Sequence, residues 1–88
     1  MRRIEIDLAN IETVRALHIY LQYKLNLPAY YGRNLDALHD CLTEIGEETE
    51  LIVCAQGAAG ENIAYLPKLV RVLEDAALEN EKLSVVIF

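Results

Sequence analysis

Three short segments with the character of β-strands are separated by helical segments, and this order strongly constrains the fold. Residues 2–7 alternate, with Ile4 and Ile6 on one face. Residues 51–54 are continuously apolar, which is typical of a strand covered on both faces, and residues 83–88 form a third strand. Strands separated by helices pair in parallel through right-handed crossovers. We therefore predict an α/β fold, a small three-stranded parallel sheet packed by three to four helices.

Helical spacing of apolar residues locates the helices. Asn10 or Thr13 can cap the first helix, and Leu27-Pro28 ends it. Asn34 caps a second helix that runs to about residue 45 and buries one apolar side. We expect a loop over residues 56–61 and a last helix whose first residue is Pro67, since proline suits the first helical position.

Composition limits both size and partners. The chain has 88 residues, 53% of them hydrophobic, and we expect one domain spanning residues 1–88. A formal net charge of −6 argues against nucleic-acid binding and favours a basic protein partner. Cys41 and Cys54 suggest a reducing compartment more than a disulfide framework, although a bridge between them stays open. No cluster indicates a metal, and no cofactor is expected.

The sequence shows no pattern typical of a targeting signal. The N-terminal residues lack the apolar core of a signal peptide, and no apolar run approaches the ~20 residues that span a bilayer. We therefore expect a cytoplasmic protein that does not contact membranes.

An aromatic loop leads directly into an acidic helix over residues 28–43. Gly32 allows a sharp or left-handed turn. Asp36 and Asp40 then lie one helical turn apart on the same side, although like charges at this spacing destabilise a helix slightly. Taken alone, the two carboxylates are best interpreted as a solvated helix face. The surrounding motif favours a binding surface instead.

That motif consists of Tyr30-Tyr31-Gly32, residues 34–38 and residues 40–43, and it resembles the barstar family. Members of this family are intracellular protein inhibitors of secreted guanyl-specific ribonucleases of the barnase type. The resemblance covers residues 17–43 and includes Leu17-His18 and Leu27-Pro28. It implies a barstar-like fold and inhibition by insertion of the loop and helix into the ribonuclease active site.

The resemblance also implies roles for individual residues. Asp40 corresponds to the carboxylate in the phosphate-binding pocket, Asp36 to a second binding aspartate, and Tyr30 to the aromatic that packs on the catalytic histidine. The other expected partner-binding residues are Gly32, Asn34, Leu35, His39, Thr43 and Asp75.

Some residues depart from the family. His39 stands where barstar has tryptophan, and Glu44 replaces a glycine. Arg33 places a positive charge in the binding loop, which is unfavourable against a basic cleft unless it points away. These departures bear on the identity of the partner.

We predict an inhibitor that binds a basic, guanyl-specific, barnase-like ribonuclease one-to-one through residues 28–44 and is a monomer when free. The alternative is a barstar-like interaction or immunity module that neutralises a different basic partner or nuclease toxin. An enzyme that uses Asp36 and Asp40 as an acid–base pair is disfavoured, because catalytic carboxylates generally sit in clefts and an outward helix face offers little desolvation. We therefore expect no catalytic residues.

Overall fold

The computed structural model describes residues 1–88 and contains three strands and three helices. In chain order these are β1 (Arg2–Asp7), α1 (Val14–Lys24), α2 (Leu35–Thr43), β2 (Thr49–Cys54), α3 (Glu61–Glu79) and β3 (Leu83–Ile87). The sheet order is β1-β2-β3, and both strand pairs are parallel. The predicted α/β class and the three-stranded parallel sheet are therefore confirmed.

One face of the sheet carries the core. Ile6 of β1 pairs in register with Val53 of β2, which pairs with Ile87 of β3. Ile6 and Val53 are buried, and they belong to the same apolar cluster as the buried leucines of the helices. Both crossovers advance in one direction across the sheet, so right-handed connections bring the helices to this same face.

The opposite face of the sheet is only partly covered, so the prediction that β2 is covered on both faces was wrong. Glu5, Ile52 and Val86 lie in register on this face. Glu5 and Val86 are exposed, and Ile52 is half-buried. Ile52 belongs to the central strand, so side chains of two neighbouring strands shield it. This accounts for an unbroken apolar run without a second layer of helices.

Thr13, one of the two predicted caps, begins α1. Its side-chain oxygen accepts a hydrogen bond from the Ala16 N–H at 3.0 Å. The helix buries Leu17, His18 and Leu21. Its chain then turns through Asn26, which has a positive φ of 52°, before Pro28.

The start of α3 lies earlier than predicted. The helix begins at Glu61, and Pro67 lies inside it rather than at its first position. The Glu61 N–H donates to the Glu12 carbonyl at 2.8 Å, and the Glu61 carboxylate accepts from the Val14 N–H at 2.9 Å. Gly60 allows this approach, because it has a φ of 57° and an added Cβ would lie 2.4 Å from the Glu12 carbonyl oxygen. Contacts with the start of α1 therefore begin the helix before the proline.

None of the three helices is both long and apolar enough to cross a bilayer. Cys41 and Cys54 are both free thiols.

Candidate functional site

Two asparagines hold the ends of α2. The Asn34 carboxamide oxygen accepts from the Ala37 N–H at 2.8 Å, as the sequence predicts for an N-cap. The helix ends at Thr43, two residues before the predicted end. Beyond α3, the Asn80 carboxamide donates to the carbonyls of Leu42 and Ile45, both at 3.0 Å. A side chain thus bonds a terminal backbone group at each end of α2, which anchors the helix at both ends.

The two faces of α2 differ sharply. Leu38 and Leu42 are completely buried against the core, and Leu35 packs there while half-buried. Asp36 and Asp40 are exposed on the other face, and the Asp40 side chain is 82% accessible. The two predicted binding carboxylates therefore point to solvent from a helix that cannot turn over without exposing its leucines.

Thr43 lies one turn beyond Asp40 on α2. It is half-buried, and its hydroxyl donates to the Asp40 carbonyl at 3.0 Å. This bond occupies the hydroxyl proton but leaves acceptor capacity on the oxygen.

The two tyrosines of the loop have opposite environments. Tyr30 is 86% exposed, whereas Tyr31 is only 6% exposed and belongs to the core. The Tyr31 N–H donates to the Pro28 carbonyl at 2.9 Å, which closes a turn between them. A large aromatic group is thus displayed immediately next to one that fixes the loop to the domain.

Arg33, rather than Gly32, adopts the left-handed conformation, with φ at 54°. The left-handed option predicted at Gly32 was therefore wrong. Gly32 instead allows close packing, because an added Cβ would lie 3.3 Å from the Asn34 amide nitrogen. The turned backbone directs the Arg33 side chain back toward α1, where its Nε lies 3.4 Å from the Gln22 side-chain oxygen. The guanidinium stem is thus directed away from the α2 carboxylates.

One flank of the acidic face is a groove beside the loop. Tyr30, Cys41 and Glu44 share its lining with residues 25–28 and 45–47, and its volume is about 490 Å³. Burial, with further contributions from Glu44 and Asp40, raises the pKa of the Cys41 thiol. A thiol shifted in this direction is a poor nucleophile at neutral pH, so Cys41 is a packing residue here.

The other flank is joined to α3. His39 Nε2 contacts the Glu79 carboxylate, and its Nδ1 lies 3.9 Å from Asp40. Asp75 lies one turn before Glu79 on α3 and is exposed, with Arg71 at 4.0 Å. Sequence reasoning included Asp75 but missed Glu79. The spacing of four residues between them is the signal that could have indicated it.

Tyr30 thus shares a groove with Cys41 and Glu44 on one flank of α2, and His39 joins α2 to the acidic end of α3 on the other. Comparison with known proteins identifies the family of the chain. The model of one family, described as "Barstar (barnase inhibitor)", matches residues 1–88. The chain belongs to the barstar family. The fold and the loop–helix motif inferred from the sequence are those of its family.

A relative from Bacillus subtilis (strain 168) carries the description "Putative ribonuclease inhibitor YrdF". It is 58% identical to this chain over 43 residues. The matched segment covers 49% of this chain and 47% of the relative, so the chain spans about half the length of the relative it matches.

Proposed function

We propose that this barstar-family protein inhibits a basic, secreted, guanyl-specific ribonuclease of the barnase type. It binds one-to-one and fills the active site with residues 28–44. The observation that carries the proposal is the exposure of Asp36 and Asp40 on a helix that is fixed at both ends. Family membership and the relative described as a ribonuclease inhibitor support the same function.

The chemistry of the partner explains the choice of carboxylates. A ribonuclease stabilises a negatively charged phosphate, so its active site concentrates cationic side chains. Asp40, at the centre of the exposed face, enters the phosphate-binding pocket and accepts charge-assisted hydrogen bonds from guanidinium groups. Asp36 takes a second cationic contact one turn earlier. Because α2 is already ordered, binding costs little additional conformational entropy.

The remaining residues frame this contact. Tyr30 packs on the catalytic histidine of the enzyme, as its exposure in the free protein allows. Backbone and edge contacts come from the start of α2, at Gly32, Asn34 and Leu35. Thr43 flanks Asp40. Asp75 reaches the rim of the interface from α3. The net charge of −6 attracts a basic partner and speeds its association with the protein. The protein acts in the cytoplasm, is a monomer when free, and performs no catalysis.

Titration of a purified guanyl-specific ribonuclease with this protein tests the proposal. Residual RNA hydrolysis should fall to zero at one equivalent. Asp40→Lys should abolish inhibition, because removing one partner of a buried ion pair costs about 3–5 kcal/mol, or more than about 100-fold in Kd. Glu48→Lys makes the same change of charge at an exposed residue outside the surface and should inhibit normally. Full inhibition by Asp40→Lys would refute the assignment.

A second candidate function follows from His39. This residue replaces the tryptophan of barstar, and its imidazole is bound by Glu79. A large apolar contact is thereby exchanged for a polar one, which favours a different basic partner, such as another nuclease toxin, on the same surface. Recovery of a basic protein without ribonuclease activity on the immobilised chain, lost with Asp40→Lys, would favour this candidate.

A further inference from the structure

A completely buried histidine joins three parts of the fold, and the proposed contact surface does not use it. His18 on α1 has no accessible surface. Its Nδ1 lies 2.7 Å from the Tyr31 hydroxyl, and its Nε2 lies 2.8 Å from the Tyr65 hydroxyl on α3. Tyr31 directly follows the exposed Tyr30 of the binding loop. The imidazole therefore connects that loop to two helices.

The surroundings of the two hydroxyls determine where the protons lie. The His18–Tyr31 contact is fully buried, and Nδ1 is the partner of the Tyr31 hydroxyl, so its proton must be donated to Nδ1. Nε2 then carries the ring proton and donates to the Tyr65 oxygen. The Tyr65 contact is only partly buried, so its own hydroxyl proton can reach water. This arrangement satisfies every group when the imidazole is neutral.

Protonation of His18 disrupts this arrangement on the Tyr31 side. An imidazolium presents an N–H at both nitrogens, so Nδ1 becomes a donor that faces the Tyr31 hydroxyl proton. The hydroxyl must turn, and its proton is then left without an acceptor in a dry site. On the Tyr65 side, the donor and the acceptor are unchanged. Protonation of His18 therefore disrupts its bond to Tyr31 of the loop and leaves its bond to Tyr65 of α3 in place.

The other side-chain attachments of the loop to α1 both involve Gln22, whose side-chain oxygen accepts from Arg33 at 3.4 Å in an exposed contact. Gln22, one turn after His18, donates to the Pro28 carbonyl at 3.0 Å. That carbonyl also accepts from the Tyr31 N–H. The two Gln22 bonds are partly or fully exposed, so the buried Tyr31 hydroxyl is the deepest attachment of the loop to α1.

We infer that His18 is a positioning residue which holds the partner-binding loop through the Tyr31 hydroxyl when neutral and releases it when protonated. The effect on binding rests on the proposed function of that loop. The effect on the loop itself does not.

No acidic side chain bonds to His18, and the Glu61 carboxylate at the start of α3 bonds instead to the Val14 N–H, one turn before His18 on α1. The groups that face it are Tyr31 from the loop and Tyr65 from α3, and on α2 the thiol of Cys41 lies close enough to Tyr31 to influence its titration. The charged side chains of β1 are exposed. Burial lowers the pKa of His18 below its ordinary value, so the neutral form predominates at neutral pH and protonation requires acid.

Amide hydrogen exchange on the free protein tests the loop directly. After correction for intrinsic rates, protection of the Tyr31 amide, which donates to the Pro28 carbonyl, should fall about tenfold between pH 7.5 and 4.5, while that of β2 changes less. Tyr31→Phe should show the lower loop protection already at pH 7.5, with no further change in acid. Tyr65→Phe is the matched control and should keep the acid response. His18→Asn, whose amide oxygen replaces Nδ1 as an acceptor, should keep the loop protected at pH 4.5.

A loop that exchanges equally in wild type and Tyr31→Phe at both pH values would overturn the inference, as would equal acid responses of the loop and β2. Dissociation from a barnase-type ribonuclease provides the second readout. Because the enzyme itself titrates, the informative quantity is the ratio of dissociation rates of Tyr31→Phe and wild type, which should fall from about 10 at pH 7.5 toward 1 at pH 4.5. Absence of any complex contradicts the proposed function, whereas the exchange experiment decides the loop inference separately.

Discussion

His39 on α2 binds the Glu79 carboxylate at the last turn of α3, and this contact joins α2, which carries the proposed binding surface, to α3. The side chains are 31% and 58% accessible, so water screens the pair. We therefore expect the contact to add little stability. Its main effect is to hold the imidazole of His39 against α3. The position that carries tryptophan in barstar is thus part of an acidic rim.

A double-mutant cycle should therefore find a small coupling energy. We expect His39→Ala and Glu79→Ala to couple by about 0.2–1 kcal/mol in the free energy of unfolding, with a smaller value in 1 M salt. Urea denaturation of the wild type, both single variants and the double variant measures it. A matched cycle with His39 and Glu74, an exposed acid that His39 does not contact, should give no coupling. Coupling above about 2 kcal/mol would show that the pair is not screened.

Loss of the cap at Asn34 should weaken both the domain and the site. Asn34→Ala removes the acceptor of the Ala37 N–H, so we expect about 1 kcal/mol lower stability in urea denaturation. Asn34→Asp and Asn34→Ser supply an oxygen at the same place and should retain most of the stability. If the alanine variant is as stable as these two, the cap is not what fixes the start of α2.

Neutralising Arg33 should speed association with a basic partner. Arg33 is exposed in the loop that leads into α2, and asparagine tolerates its left-handed backbone. Arg33→Asn should therefore raise the association rate constant about two- to threefold at low salt, with the gain lost at 0.5 M salt. Stopped-flow mixing with the ribonuclease measures this rate. Arg15→Gln, the same loss of charge on α1, should give a smaller gain, and an equal gain would mean that only net charge matters.

Local sequence signals predicted much of this architecture. The strand at residues 2–7 follows from alternation, and the caps at Thr13 and Asn34 follow from side chains that bond within three residues. Such signals need no knowledge of distant contacts. The exposure of Asp36 and Asp40 follows in the same way, from the helical spacing of the leucines opposite them.

The errors arose where distant residues decide the structure. Proline favours a first helical position, but Glu61 begins α3 earlier because its backbone and carboxylate bond to Glu12 and Val14. Similarly, local preference allows a sharp or left-handed turn at Gly32, yet Arg33 is the residue with the positive φ. The contact of His39 with Glu79 depends on helix packing, which spacing along α2 alone does not specify.

The buried tyrosines should make the protein sensitive to alkali. Burial raises the pKa of Tyr31, and the neighbouring Cys41 and Tyr65 raise it further. Burial also raises the pKa of Tyr65 itself. A phenol whose pKa is raised on folding binds its proton more tightly in the native state, so its contribution to stability is complete below pH 10 and declines as pH rises above it. The free energy of unfolding from urea titrations should therefore fall between pH 10 and 11.5.

Tyr31→Phe removes the group with the larger shift and should flatten this decline, whereas Tyr23→Phe, at an exposed phenol, should leave it unchanged. Identical slopes in all three proteins would mean that Tyr31 ionises as readily in the folded chain as in the unfolded one.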